Sequence, residues 1–261
     1  MENCMLCPRE CGVNRKKGEM GVCGQTAAIK AARAALHMWE EPCISGQNGS
    51  GTVFFSGCNL GCVFCQNNNI ANAKVGKKIS VERLAEIFLE QQDRGALNIN
   101  LVTPTHYIPQ IIKALELSKS QGMNLPVVYN SGGYEKAEAL KLLDGLVDVY
   151  LPDMKYMSPV LAGKYSKAQD YPAAAMAALA EMFRQVGTPV FEVEKPDDNT
   201  ATDEAGLIMK RGMIVRHLVL PGCTADSKAV VKYLYDTYGD DIYMSIMSQY
   251  TPMPELRPGG K

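Results

Sequence analysis

The chain of 261 residues is close to neutral, with 27 Lys and Arg against 28 Asp and Glu, and 46% of it is hydrophobic. That composition describes an ordinary folded domain and gives no electrostatic reason to expect nucleic acid or an anionic membrane as partner. No apolar run reaches the ~18 residues needed to span a bilayer. The opening residues Met1, Glu2, Asn3 and Cys4 have neither the basic start nor the apolar core of a secretion signal. A cytoplasmic location is expected, and there nine cysteines point to metal ligation or redox chemistry instead of disulfides.

Residues 1–45 form a first module, rich in cysteine, glycine and basic residues, with little periodicity beyond an alanine-rich stretch over 27–36. A Gly- and Ser-rich connector over 45–51 follows, and residues 50–253 then read as one domain of alternating strands and helices. The first predicted strand, 52–56, carries Val53, Phe54 and Phe55. Ser80 stands as N-cap to a helix with Val81, Leu84, Ala85, Phe88 and Leu89 at helical spacing, and Gly95 stands where a C-cap belongs. A strand over 98–102 leads to a helix through Ile108, Ile111, Ile112 and Leu115. A strand over 126–129 precedes a short helix through Leu140 and Leu143, and one over 147–151 precedes a long helix over 172–186. Two more strands are predicted over 214–220 and 242–247, with a helix through Val230 and Leu234 between them. Residues 189–193 are either an extra strand or part of an excursion through 195–205. The chain runs only a few residues past its last strand, which leaves no capping element after it. Such alternation predicts an α/β fold with a parallel sheet, closed toward a barrel or doubly wound, whose chemistry sits at the C-terminal strand ends.

Cys58, Cys62 and Cys65 form a C-x3-C-x2-C triplet just after the first strand. Thiolates are soft ligands suited to iron–sulfur clusters and to zinc. Three cysteines on a [4Fe-4S] cubane leave one iron without a protein ligand, an open position where chemistry takes place. Gly57 and Gly61 let the backbone wrap closely around an inorganic core. The plainer readings are buried free thiols or three ligands of a zinc site completed elsewhere; the position after a strand, with Phe64 before the last cysteine, favours the cluster.

Cys4, Cys7, Cys11 and Cys23 supply four more thiolates in a segment too short for much core of its own. Four closed ligands fit structural zinc or a fully ligated auxiliary iron–sulfur cluster, and both stay open. Arg9, Arg15, Lys16 and Lys17 nearby moderate their charge. Of the remaining two cysteines, Cys43 has no assignment and Cys223 stands at a strand end as a candidate for the pocket wall.

The triplet, its place after the first strand and the alternating pattern resemble the radical S-adenosylmethionine (SAM) superfamily from about residue 50 onward. Segments 7–15, 98–106, 149–155, 216–222 and 247–250 are most similar to relatives of pyruvate formate-lyase-activating enzyme, in the branch called PflX-like. The resemblance implies a partial (β/α)6 TIM-like barrel of the radical SAM type with a Cys-rich N-terminal extension. It implies a [4Fe-4S] cluster on Cys58, Cys62 and Cys65 whose open iron chelates SAM. It further implies reductive cleavage of SAM to methionine and a 5′-deoxyadenosyl radical that abstracts hydrogen from a substrate. An electron donor such as flavodoxin or ferredoxin is then a partner, and a glycine of a glycyl radical protein is the substrate the branch suggests.

Several strand ends carry residues expected to contact SAM. After the second strand, Thr103 and Thr105 stand where many superfamily members have a Gly-Gly-Glu segment, which this chain lacks. Asn130 and Ser131 resemble the Thr-Asn-Gly region of activating enzymes, and Asp153 with Lys155 matches their Asp-x-Lys. Two residues apart on a strand, Asp153 and Lys155 face one side and suit a ligand with both charges. Arg216 and His217 alternate faces, so at most one points inward, and Arg216 suits a carboxylate or ribose. Phe64 joins the same pocket, whereas His106 and His217 are expected in packing roles. Two other functions compete. One is radical SAM modification of a small metabolite or peptide. The other is a non-enzymatic iron–sulfur protein for electron transfer or regulation, which has no need of the Asn130/Ser131 and Asp153/Lys155 constellation.

Overall fold

The computed structural model describes residues 2–194 and 206–252; the excursion over 195–205 and the chain end over 253–261 lie outside the described residues. Six parallel strands make the frame: β2 (Ser50–Phe55), β4 (Ile99–Val102), β5 (Val127–Ser131), β6 (Val149–Pro152), β8 (Leu207–Leu218) and β9 (Tyr243–Met247). β2, β4, β5 and β6 are almost wholly buried and rich in Val, Ile, Leu and Phe, as strands covered on both faces require, whereas β9 at the edge has no buried residue. Three antiparallel strands extend the frame: β1 (Ile29–His37) on β2, β3 (Lys77–Ile79) on β1, and β7 (Val190–Val193) on the first half of β8. The sheet is therefore mixed where the alternation alone suggested a parallel one. Its order is β3-β1-β2-β4-β5-β6-β8, with β7 and β9 both on β8, and the described strands do not close into a full ring. Strand β1 was not legible in the alanine-rich stretch, because alanine has little strand preference; its pairing with β2, from Ala31 opposite Phe55 to His37 opposite Ser50, makes it a strand.

Helices cover the outside of this sheet. In α3 (Val81–Asp93) the Ser80 hydroxyl accepts the Arg83 N–H at 3.1 Å, the capping bond expected from sequence. Leu84, Ala85, Ile87 and Phe88 then face the core. The other long helices are α4 (Ile108–Ser120), α7 (Tyr171–Val186) and α8 (Thr224–Tyr238). Four shorter ones, α1 (Pro42–Ser45), α2 (Asn68–Ala71), α5 (Ala137–Leu140) and α6 (Pro159–Ser166), turn the chain between strands. No helix among the described residues is long and apolar enough to cross a membrane.

The N-terminal segment is fastened to the frame by one buried arginine. The Arg15 guanidinium donates to the carbonyls of His106 and Thr26 and lies over the Tyr107 ring at 5.6 Å. His106 donates from Nε2 to the Ser56 carbonyl at 2.8 Å, and burial holds its pKa down to about 3, so it is neutral. His217, also buried, contacts the Met154 carbonyl at 2.7 Å and the Ser227 hydroxyl at 2.9 Å. Both histidines have packing roles.

Thr105, expected at the SAM pocket, is turned away from it. Its side chain is buried in the turn before α4 and donates to Glu135 Oε1 at 2.6 Å, because the buried carboxylate needs donors. Tyr129 also donates to Glu135, at 3.3 Å. Burial pushes the Glu135 carboxyl up from 4.5 to about 7, with the surrounding hydroxyls opposing. Between those values the folded protein binds a proton that the unfolded chain has released, so stability falls as pH rises, by about 3 kcal/mol in all. Glu135→Gln removes that slope. Urea unfolding is expected to show the variant gaining on the parent protein from pH 5 to 8, and a constant difference over that range would contradict the assignment.

Candidate active site

The carboxyl ends of the parallel strands meet around a cavity of about 230 Å3. Its walls include Cys58, Cys62, Cys65 and Phe64 from the loop after β2, Thr103 after β4, Asn130 and Ser131 at the end of β5, Asp153 and Lys155 after β6, and Arg216 in β8. All of the site residues expected on the barrel are thus gathered here except Thr105. Cys223 lies at the start of α8, outside this lining.

The loop carrying the triplet is held from several sides. Gly57 adopts φ +88°, and a Cβ there would sit 2.4 Å from the Cys23 carbonyl oxygen, so only glycine lets the N-terminal segment come this close. The Gly57 N–H donates to the Ile70 carbonyl at 2.9 Å, and the Val63 N–H to the Tyr165 carbonyl at 2.9 Å. The Leu60 N–H points at Cys58 Sγ, 3.4 Å away, and the Cys62 Sγ lies 2.9 Å from the Ser166 hydroxyl. Burial pushes the Cys58 thiol up to about 12, and the neighbouring Cys62 and Cys65 add to this. Burial also raises the Cys65 thiol, chiefly with Cys62. Metal charge reverses that balance and takes the thiolate form.

Among the described residues, no three Cys, His, Asp or Glu groups converge on one point as a single-ion site. A cubane makes no such demand, since its three protein thiolates bind three different irons. The donor set, three soft thiols on a glycine-turned loop with a free cavity before them, fits a [4Fe-4S] cluster with one open iron.

Behind the thiols runs a chain of half-buried charges. Asp153 is shared between Lys155 Nζ and Arg216 Nε, the latter at 3.0 Å. Arg216 reaches on to Glu40 Oε1 at 3.0 Å and to Asn130 Oδ1 at 2.7 Å. Glu40 Oε2 accepts from Asn130 at 3.0 Å and Asn100 at 3.1 Å. Burial alone would raise the Asp153 pKa, but Lys155 and Arg216 outweigh it and hold the carboxyl below its ordinary 3.8. The Tyr171 hydroxyl ties the strand ends together, accepting the Lys155 N–H at 2.9 Å and lying 2.8 Å from the Asp153 carbonyl oxygen and 2.9 Å from that of Gly132. Thr103 sits at φ +57°, a conformation costing about 1–3 kcal/mol that often marks a working site.

Asp153 and Lys155 do share a face, but they pair with each other instead of standing free for a ligand. Glu40, Asn100 and Tyr171 escaped the sequence reading. Nothing local marks Glu40 or Tyr171; Asn100, a polar residue between Ile99 and Leu101 in a buried strand, did carry a signal.

A second, more polar chamber of about 570 Å3 adjoins the first and shares Phe54, Gln66, Asn67, Val102, Asn130 and Arg216 with it. Arg33, His37, Trp39, Glu40, Glu41, Ser245 and Gln249 contribute the rest of its polar and aromatic wall. In the N-terminal segment Cys4 and Cys23 are buried and Cys7 and Cys11 half-buried. Burial raises the Cys23 thiol, and Cys4 and Cys11 lie close enough to raise it further. Burial pushes Cys7 up to about 12, with Cys23 among the contributors.

Removing one member of this chain of charges strands the others. Arg216→Met leaves Glu40 without its cation and is expected to cost about 2–3 kcal/mol in chemical unfolding, less than the loss of a fully buried pair. Glu40→Gln keeps an acceptor for the asparagines and should cost less. Equal losses would show that the charges are not coupled.

The family profile of the radical SAM superfamily matches residues 52–194. An uncharacterised protein of Methanocaldococcus jannaschii is 30% identical over 264 residues, covering 96% of this chain and 67% of the relative. Among solved structures, native anSMEcpe with bound AdoMet superposes with a TM-score of 0.49 at 12% identity, over 77% of this chain and 54% of that one. HydG, a maturase of the [FeFe]-hydrogenase, gives 0.48 at 13% identity over 76% and 45%. SuiB of Streptococcus suis gives 0.45 at 12% identity over 78% and 40%. The chain thus spans about half the length of these structures or less. Its thiol triplet, its strand-end cavity and the match over residues 52–194 lead to one family: the chain belongs to the radical SAM superfamily.

Proposed function

We propose that this protein binds a [4Fe-4S] cluster through Cys58, Cys62 and Cys65, and SAM in the adjoining cavity, and abstracts hydrogen from a substrate in the outer polar chamber. The observation that carries this reading is the gathering of the triplet with Thr103, Asn130, Ser131, Asp153, Lys155 and Arg216 around one cavity. When bound, the cluster and SAM supply an electron transfer that yields methionine and a 5′-deoxyadenosyl radical, which leaves as 5′-deoxyadenosine after taking hydrogen.

The chain's own part is to position and to shield. Asn130, held by Glu40 and Arg216, and Ser131, whose hydroxyl accepts the Gly133 N–H, shape the cavity wall, and Lys155 offers a cation whose pKa Asp153 holds high against the effect of burial. Arg216, clamped by Asp153 and Glu40, keeps a fixed fork between the two chambers. Phe64 covers the cluster loop with apolar surface. The outer chamber has its own recognition groups: Arg33 and Glu41 line it, and no hydrogen bond or ion pair engages either side chain within the described structure. A backbone glycine of a glycyl radical protein, as in the PflX-like reading, or a small metabolite or peptide fits such a wall of mixed charge. An electron donor of the flavodoxin or ferredoxin kind completes the cycle. Cys4, Cys7, Cys11 and Cys23 are the ligands we assign to a separate site, an auxiliary cluster in preference to zinc because no three of them converge on one point. Of the module over 1–45, the part from β1 onward packs with the barrel domain over 50–253.

Anaerobic reconstitution with iron and sulfide, then reaction with SAM and a strong reductant, tests the reading. The parent protein is expected to release 5′-deoxyadenosine, Cys62→Ala to release none, and Cys7→Ala to keep the SAM-cleaving cluster. A parent protein that assembles a cluster yet yields no 5′-deoxyadenosine would favour the electron-transfer alternative. Loss of all iron in Cys7→Ala would contradict two separate sites.

A further inference from the structure

Cys62 has a side-chain hydroxyl partner, whereas Cys58 and Cys65 face only the backbone N–H groups of Leu60 and Asn67. The Ser166 hydroxyl, fully buried at the end of α6, lies 2.9 Å from Cys62 Sγ. Its oxygen lies 2.8 Å from the Tyr156 hydroxyl. Either atom of each pair can donate when Cys62 is a thiol, but a ligating thiolate only accepts. Cluster binding therefore fixes the direction of the whole chain: Tyr156 donates to Ser166, and Ser166 donates to Cys62.

Ser166 is itself held from the N-terminal segment. The Arg9 side chain donates from its three nitrogens to the carbonyls of Asn59 (2.8 Å), Ser166 (3.2 Å) and Lys167, and lies over the Tyr134 ring at 5.1 Å. Asn59 belongs to the triplet loop, so one guanidinium bridges that loop to the end of α6. It also satisfies helix-end carbonyls, which have no partner within the helix. Arg9 lies between Cys7 and Cys11, and so carries the position of the N-terminal module to the Cys62–Ser166 contact.

Resting on the cluster reading above, we infer that Ser166 tunes the reduction potential of the cluster through a hydrogen bond to the Cys62 thiolate, with Tyr156 polarising that bond and Arg9 positioning it. Reduction adds negative charge that is shared with the cluster sulfurs and their thiolate ligands. A donor at one thiolate stabilises the reduced state more than the oxidised one and raises the potential. Tyr156 strengthens the effect, since hydrogen bonds in a chain polarise one another. The hydroxyl acts at one corner of the cluster, in addition to the backbone N–H groups that face Cys58 and Cys65.

Potentiometric titration of the reconstituted protein, followed by the electron paramagnetic resonance signal of the reduced cluster, tests this without any turnover. Ser166→Ala is expected to move the midpoint to a more negative potential, and Tyr156→Phe to move it the same way by less. Ser166→Ala with parental iron content and an unshifted midpoint overturns the inference. If Ser166→Ala fails to hold iron, Tyr156→Phe carries the test alone, and an unshifted midpoint there overturns the inference equally. A parent protein that assembles no [4Fe-4S] cluster overturns the cluster reading and this inference together, and that result is recognisable before any variant is made.

Discussion

Asp153 shared between Lys155 and Arg216 is the contact on which the rest of the site depends. Two cations and a carboxylate are largely removed from water at the strand ends, and such a set persists only if its members satisfy one another. Strand pairing brings this about: Asp153 bridges to Arg216 across the β6–β8 boundary. From there Arg216 reaches Glu40, which follows β1 near the other end of the sheet. No backbone pairing links those two regions among the described strands, so side-chain charges hold the strand ends around the cavity where an open ring would otherwise splay. Tyr171 locks the same ends through backbone groups, and Gly133 permits the close approach, since a Cβ there would stand 2.1 Å from the Asp153 carbonyl oxygen.

The triplet loop is constrained from the opposite side. Cys23 presses its carbonyl against Gly57, Arg9 binds Asn59, and Arg15 holds the turn after β4. The N-terminal segment thus touches the loop and one strand end at once, although it adds no strand before β1. Two arginines, whose guanidinium groups take two or three carbonyls each, thus tie the N-terminal segment to the triplet loop and to the turn after β4.

Much of this was legible in the sequence. The triplet, the strand-to-helix alternation, the Ser80 cap and the polar strand ends at Asn130, Asp153 and Arg216 are all local signals, and local signals survive in a single chain. What escaped depended on distant contacts. The alanine-rich β1 becomes a strand only by pairing with β2, and β3 only by pairing with β1. Glu40 acquires its role from Arg216, 176 positions away in sequence. Thr105 stood as close to the pocket in sequence as Thr103, yet the chain turns at Thr103 and hands Thr105 to Glu135. The Asp153/Lys155 pattern gave the right face but not the shared carboxylate, because the second cation on Asp153, Arg216, comes from another strand.

The cavity walled by the triplet and by Asn130, Ser131, Asp153 and Lys155 is proposed to receive SAM directly at the open iron. Electron paramagnetic resonance of the reduced cluster, recorded with and without SAM, tests this most directly. Direct ligation changes the electronic environment of one iron, so the spectrum is expected to shift on adding SAM and to stay unshifted with S-adenosine analogues lacking the amino and carboxylate groups. A spectrum indifferent to saturating SAM would contradict the account.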